Sequence, residues 1–454
     1  MSRRSAALGI FIGAIGLIAV CGAAWFILPD PVGLIPVQIR LRLPQAVVDV
    51  ITTPIPTALP APLTSASHSD ASLLIPVSAT DTPSPTASST STSLPTAMAA
   101  LSDSSPTAMG PTVAASSTKE PTATPTASPT PTPTVIPAAF IKGFEIVAQE
   151  FNNCGPANLT MVLNYFGQKV TQYDVGDDLK PSYDDRNVSP DELVGFVREN
   201  TALDALAFSG GDIDLLKQLL AAGYPVIIEK GFMPHESLGW MGHYLTLVGY
   251  DESEQSLVAM DSYLGPWDDS GRYENYEAVS ELWEHFNNTF IVVFREDQRD
   301  SLMEMLGSSF ENPETMWQHS AEWAQERIEE NPANAYAWFN LGTNLTELGE
   351  LTGRKEYFEN AAIAFDKARE IGLPWRMLWY QFKPYTAYLE SGRIDEVLAL
   401  TLHAQSIEET HLYRGHALRA NGDYRGAAYA YRQALRMNPH FEEAALALSS
   451  LPES

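Results

Sequence analysis

The sequence predicts an α+β domain followed by an all-α repeat domain, with a transmembrane helix and a disordered Pro/Thr/Ser-rich linker ahead of both. Three observations carry this. Composition changes sharply along the 454 residues, from an uncharged apolar run to a Pro/Thr/Ser tract and then to ordinary globular sequence. Between residues 138 and 297, helix-period patterns come first and strand patterns follow. Between 312 and 450 the strand patterns vanish, and small residues, aromatics and prolines recur at helical-repeat spacing. The stretch "QRDSLMEMLGSSFEN", 298–312, separates the two domains.

The apolar run is residues 6–28, "AALGIFIGAIGLIAVCGAAWFIL". A helix of that length crosses a hydrocarbon core of about 30 Å. Arg3 and Arg4 precede it, and no Lys or Arg follows until Arg40. The positive-inside rule then expects a single-pass protein of the cell membrane, with a cytoplasmic N-terminus and extracytoplasmic folded domains. A cleaved signal would have a shorter core ending in small residues. This run continues through Trp25, Phe26, Ile27 and Leu28, so an uncleaved anchor is expected. "IAVC", ending at Cys21, carries Val20 where a lipoprotein signal needs a small residue. Gly9 and Gly13 form a small-xxx-small pair, in a helix already rich in glycine.

Residues 29–137 read as a membrane-proximal segment and a disordered linker. "IPVQIRLRLPQAVVDVI" alternates weakly, and from about residue 52 the chain is Pro, Thr, Ser and Ala. Such composition buries too little apolar surface to offset its ordering entropy. Extended at about 3.1 Å per residue, the tract could reach ~200 Å, as a stalk would.

Net charge is -28, and six acids against five bases before residue 140 leave about -27 for the folded part. A surface this acidic repels phosphate backbones and argues against nucleic acid as a partner. Only Cys21 and Cys154 are present, and Cys21 lies in the apolar run, so an intrachain disulfide is not expected.

In "QEFNNCGPANLTMVLNYFG", 149–167, Pro156 suits a first helical turn, Leu159, Val162, Leu163 and Phe166 make an apolar face, and Gly167 ends it. Cys154 therefore stands at a helix N-terminus, where free N–H groups and the macrodipole favour a thiolate. Ser189-Pro190-Asp191-Glu192 caps a second helix, and 212–222 forms a third that stops at Gly223. "YPVIIE" (224–229), "GHYLTLVGYD" (242–251), "SLVAMD" (256–261) and "TFIVVF" (289–294) read as strands, the middle two joined by a turn at "ESEQ".

A thiolate nucleophile needs a base, and the base needs an orienting group. His243 opens one strand of that hairpin and Asp261 closes the other, so Cys154, His243 and Asp261 can converge. Gln149 could donate to an oxyanion beside the Cys154 N–H. Each has a plainer reading: a core cysteine, a satisfied core histidine, a turn aspartate. His235 is a reserve base on a loop, and His285 reads as a surface residue. Asp268, Asp269 and Glu274 read as a solvated acidic loop rather than a calcium site, and no cofactor or metal is expected. Trp240 and Trp267 flank the expected active face, with core packing as their default.

The stretches "NCGPANLTMVLNYFG", "GHYLTLVGYD" and "VAMDSYLG" resemble the C39-like family of papain-fold cysteine peptidases, over about residues 144–294. The resemblance implies a papain-like domain, at 138–297, with a Cys-His-Asp triad on Cys154, His243 and Asp261 and an oxyanion glutamine at Gln149. The glutamine-to-cysteine spacing is one shorter than in peptidases that trim double-glycine leaders, and Asn153 stands where those have Asp.

In the 312–450 region, Gly415, Leu418, Gly422, Ala427, Tyr431, Ala434 and Pro439 resemble the 34-residue tetratricopeptide pattern. A second copy runs through Trp338, Leu341, Gly342, Ala361, Phe365 and Ala368, with about seven extra residues around "GELTGRK". Tyr388, Gly392 and Ala404 mark a degenerate copy, and "WQHSAEWAQERIEENP" a leading helix. Such stacks offer a groove to a peptide or protein partner; a structural cap on the catalytic domain is the alternative.

The expectation is a membrane-anchored, extracytoplasmic cysteine peptidase acting on a peptide or protein substrate, with repeats that recruit a protein partner. A non-catalytic peptide-binding module, a thiol-dependent acyl transferase and a purely structural repeat scaffold stay open beside it.

Overall fold

A computed structural model describes residues 58–63, 136–181, 185–235, 238–402, 404 and 407–452. The expected transmembrane segment 6–28 and most of the expected linker lie outside them. Among the described residues no helix is long and apolar enough to cross a membrane.

The first domain is an antiparallel sheet wrapped by helices. Its strands are β1 (Ala138–Phe140), β2 (Leu203–Phe208), β3 (Val226–Phe232), β4 (Met241–Asp251), β5 (Ser256–Met260), β6 (Arg272–Asn275) and β7 (Phe290–Arg295). The order is β2-β7-β3-β4-β5-β6, with β1 pairing on β4 as well. The expected hairpin is β4–β5, with Thr246 opposite Met260 and Asp251 opposite Ser256. A bulge lies between Leu247 and Gly249, and the missing side chain of Gly249 lets β1 pair there, because a Cβ would stand 2.3 Å from the Ala139 carbonyl oxygen.

Three strands, β1, β2 and β6, were not expected from the sequence. Their positions change the expected helices-then-sheet order, since β1 precedes the helices and β2 lies among them. The helices are α1 (Cys154–Tyr165), α2 (Gln172–Leu179), α3 (Pro190–Asn200), α4 (Ile213–Ala221) and α5 (Tyr276–Glu284). Ser189 and Glu192 form the expected capping box on α3, and Asp212 caps α4. Helix α1 packs against α2, α3 and β4. Its residues 155–163 are all buried, so it is covered all round rather than along one stripe.

The segment expected to separate the domains is itself folded. Helix α6 (Arg299–Leu306) places Leu302 and Leu306 in the sheet domain's core, and Phe310 and Met316 follow them. Helix α7 (Pro313–Glu330) leads into the pair α8 (Ala335–Thr352) and α9 (Lys355–Ile371). The extra residues of this copy lengthen α8 by continuing it to Gly353, whose φ of 68° ends it. Gly342 faces Phe365: an added Cβ would lie 2.8 Å from the ring. The degenerate copy is α10 (Lys383–Glu390) with α11 (Ile394–Leu400), and the last is α12 (Glu408–Ala420) with α13 (Tyr424–Met437), followed by α14 (Glu442–Ser449).

The two domains share polar contacts. Asn287 and Asn344 exchange side-chain hydrogen bonds, and Asn340 Nδ2 donates to the Glu284 carbonyl at 2.7 Å. His285 lies in this junction, buried, not at the surface as expected: Trp240 Nε1 donates to its Nδ1 at 3.0 Å and Tyr336 stacks on it at 3.5 Å. Burial pushes its imidazole down to about 3. Residues 58–63, within the expected linker, lie against the repeats, and Leu59 is buried in their core.

Candidate active site

Cys154 occupies the first position of α1, and the chain before it is held by Gln172 of α2. The Gln172 Oε1 accepts from the Glu150 N–H (2.8 Å) and from Asn153 Nδ2 (2.9 Å), and its Nε2 donates to the Ala148 carbonyl (2.8 Å). Asn153, the cap residue, makes no side-chain bond to the helix. Its amide is spent on Gln172, so the first-turn N–H groups beside Cys154 are not capped by it.

The His243 imidazole on β4 lies close enough to Cys154 for each group to shift the other's proton affinity. Its Nε2 lies 3.1 Å from Asp261 Oδ1, which leaves Nδ1 for the sulfur. That Oδ1 also accepts the backbone N–H groups of Tyr263 (2.8 Å) and Leu264 (2.9 Å). The carboxylate is thus fixed from two directions, and Phe232 stacks on the imidazole with centroids 4.7 Å apart. His243 and Asp261 are both almost fully buried.

The charges follow from these contacts. Burial opposes the imidazolium of His243, but the bonds and charges of Asp261 and Cys154 outweigh it and raise the group to about 9. Burial likewise opposes the thiolate. The hydrogen bond and charge of His243, the Tyr244 backbone N–H and the Lys180 charge together bring Cys154 below its ordinary value. Burial also works against the Asp261 carboxylate, yet His243 and the two backbone N–H groups hold it below the usual range.

Gln149 is reached through Ser262. The Ser262 Oγ donates to Gln149 Oε1 at 2.8 Å, and the Gln149 N–H donates to the Ser262 carbonyl at 2.8 Å. With its carbonyl end engaged, the Gln149 amide has its N–H2 end left to donate. Asn158, one turn after Cys154, ties the parts together. Its Nδ2 donates to the Cys154 carbonyl (2.9 Å), the Tyr244 carbonyl (2.9 Å) and Ser262 Oγ (3.1 Å), and its Oδ1 accepts from Thr246 Oγ1 (2.8 Å). The structure therefore brings all four expected residues, Cys154, His243, Asp261 and Gln149, into one constellation.

Sequence reasoning missed Asn158, Ser262, Thr246 and Gln172. Three of them lie inside stretches already quoted, but a polar residue on an apolar helix or strand points to no partner until the tertiary fold supplies one. It also missed Glu229, a buried carboxyl on β3 whose group burial pushes well above the usual range. Tyr380, from the repeat region, packs on Gly242, where an added Cβ would lie 3.2 Å from its ring. The repeats thus place an aromatic ring beside the strand that carries His243.

Of the other residues singled out, Trp240 is buried and stacked on Phe286, and Trp267 is 56% exposed. Asp268 accepts from Ser270, and Glu274 pairs with Arg272 (2.6 Å) and Lys230 (3.6 Å). Among the described residues no group of three or more His, Cys, Asp or Glu side chains could hold a metal ion.

Residues 141–291 match the family described as Peptidase_C39 like family, and residues 408–441 match Tetratricopeptide repeat. Residues 141–291 form a C39-like peptidase domain. Solved structures similar to the chain include a C39-like peptidase from Bacillus anthracis, at 18% identity and a TM-score of 0.29, covering 35% of this chain and 98% of that one. A double glycine motif protease from an AMS/PCAT transporter, in complex with a leader peptide, is 19% identical with a TM-score of 0.26, covering 35% of this chain and 94% of that one. Xylellain, a cysteine protease from Xylella fastidiosa, is 14% identical with a TM-score of 0.28, covering 36% of this chain and 87% of that one. No curated protein matches the chain. The C39-like match stops short of α6, and everything from there to residue 407 lies outside both matches.

Proposed function

We propose that the chain is a cysteine peptidase whose triad is Cys154, His243 and Asp261. The observation that carries this is the bond from His243 to Asp261, with Cys154 coupled to the same imidazole and the carbonyl end of the Gln149 amide taken by Ser262.

The steps follow from what each group holds. The Cys154 sulfur attacks the carbonyl carbon of a peptide bond, forming the S–C bond. The developing oxyanion takes the Gln149 Nε2–H and the Cys154 backbone N–H. The His243 imidazolium gives its Nδ1 proton to the leaving amine as the C–N bond breaks, which leaves a thioester on Cys154. His243, now neutral, removes a proton from water, whose oxygen attacks the thioester. The C–S bond then breaks and frees the acid. Asp261 keeps the imidazole oriented and stabilises its charged form throughout.

The repeats serve to recruit a protein partner or substrate beside this site, and the apolar run 6–28 serves as a single-pass anchor that places both domains outside the cytoplasm. The charge asymmetry around that run supports the placement.

The test is a diverse peptide library incubated with the full chain in a Cys21→Ser background. Hydrolysis yields two products whose masses sum to substrate plus water, and Cys154→Ala abolishes them. An acylated amine product would assign a transferase instead. Measurable peptide affinity with no turnover, unchanged by Cys154→Ala, would assign a binding module.

A further inference from the structure

Residues 58–63, Ala-Leu-Pro-Ala-Pro-Leu, contact the repeat domain through both backbone and side chain, although at least 300 residues of sequence separate them from their hydrogen-bonding partners there. The Leu59 N–H donates to the Leu373 carbonyl at 2.9 Å. Arg369 Nε donates to the Pro60 carbonyl and its Nη2 to the Ala61 carbonyl, each at 3.0 Å. The Leu63 N–H donates to Glu396 Oε1 at 2.6 Å. The Leu59 side chain is buried in the same core as Leu373 and Tyr388.

The receptor is held by bonds of its own beside those it makes to the segment. Arg369 is buried, and its Nη1 bonds both Glu396 Oε2 and the Tyr388 hydroxyl at 2.9 Å. Arg393 bonds the other Glu396 oxygen at 3.1 Å and holds Asp366 as well. This network leaves two guanidinium donors and one carboxylate oxygen pointed at a passing main chain. The segment suits it. Prolines at 60 and 62 have no N–H to satisfy and favour an extended backbone before binding, which lowers the entropy cost of docking.

We propose that residues 58–63 are a built-in ligand of the repeat domain, held by Arg369, Glu396 and Leu373, and that a separate peptide of the same sequence exchanges with them. The docked segment occupies a surface that recognises Leu-Pro-x-Pro-Leu chemistry, so a partner carrying that chemistry must displace it. A tethered occupant competes at an effective concentration on the order of a millimolar, falling as the tether lengthens. The proposal is independent of catalysis at Cys154.

The probe is a fluorescein-labelled peptide with the sequence of residues 55–66. Its anisotropy is read with the full chain and with the full chain carrying Leu59→Asp, which empties the site without touching the receptor. Binding to Leu59→Asp is expected to be at least tenfold tighter than to the unaltered chain, and a labelled peptide with the same Leu-to-Asp change is expected not to bind either. Equal binding to both chains, or none to Leu59→Asp, overturns the proposal. Hydrogen exchange on the unaltered chain reads it independently. The Leu59 and Leu63 amides are expected to exchange at least tenfold slower than in the free peptide, and equal rates overturn it.

Discussion

The Ser262 hydroxyl donates to Gln149 Oε1 at 2.8 Å, and this bond takes the carbonyl end of the glutamine amide and leaves its N–H2 end to donate. Ser262 directly follows Asp261, so one short segment carries the partners of both His243 and Gln149. Ser262→Ala is expected to lower kcat about tenfold while leaving the rate of Cys154 alkylation unchanged. Gln149→Ala removes the donor itself and is expected to cost ~10²–10³ in kcat. Steady-state kinetics beside alkylation rates check both. A Ser262→Ala enzyme with full kcat would show that the glutamine needs no orientation.

Asp261→Asn should act through His243. The carboxylate charge is part of what raises the imidazole to about 9, so its loss moves the histidine down and takes thiolate with it. A fall of ~10²–10⁴ in kcat is expected, the range of general acid–base catalysis. The same variant should shift the alkaline limb of the rate profile to lower pH.

For the unaltered chain the profile of kcat/KM against pH is expected to be bell-shaped. Activity rises as Cys154 loses its proton, below the ordinary thiol range, and falls as His243 loses its own near pH 9. Rates at constant ionic strength check this. A profile that rises through the ordinary thiol range, with no alkaline limb, would count against an ion pair.

His285 gives a prediction on stability. Its folded value is depressed to about 3, so the unfolded chain takes up a proton near 6.5 that the folded chain does not. This group therefore costs no stability above about pH 6.5 and destabilises the fold progressively as pH falls from there toward 3. The limiting slope for one proton is about 1.4 kcal/mol per pH unit. His285→Asn keeps an acceptor for Trp240 Nε1 and removes the titration. Urea unfolding between pH 4 and 7 should show a shallower pH dependence in that variant.

In the last repeat, a Cβ on Gly415 would stand 2.3 Å from the ring of Tyr431, which is fully buried with its hydroxyl bonded to His416. Alanine gains ~1 kcal/mol of helix propensity there, but overpacking costs ~1–3 kcal/mol. Gly415→Ala is expected to destabilise, with a lower urea midpoint. Gly422→Ala, where φ is 78°, should destabilise through backbone strain instead.

The parts of the site legible in the sequence are those tied to local signals. Cys154 stands before Gly-Pro at a helix start, and His243 and Asp261 stand at the ends of strands joined by a short turn. A hairpin brings its ends together whatever the rest of the fold does, so the pairing could be read without tertiary information. Asn158 and Ser262 meet across 104 residues, and nothing local marks either. The strands behaved similarly. β3, β4, β5 and β7 are buried apolar runs, but β2, "LDALAF", is an edge strand of weak strand formers and β6, "RYEN", is short and polar. The Leu59 segment shares the composition of the Pro/Thr/Ser tract, and that composition alone points to disorder. Only the Arg369 and Glu396 receptor, 300 residues away, gives it a place.

The most direct measurement is the pH dependence of Cys154 alkylation in the full chain with Cys21→Ser, beside the same chain with His243→Ala. Fast labelling with an apparent pKa well below the free-thiol value of about 8.5, lost in His243→Ala, is the expected result. A thiol that labels only through the ordinary range, indifferent to His243, would contradict the thiolate–imidazolium pair and with it the peptidase.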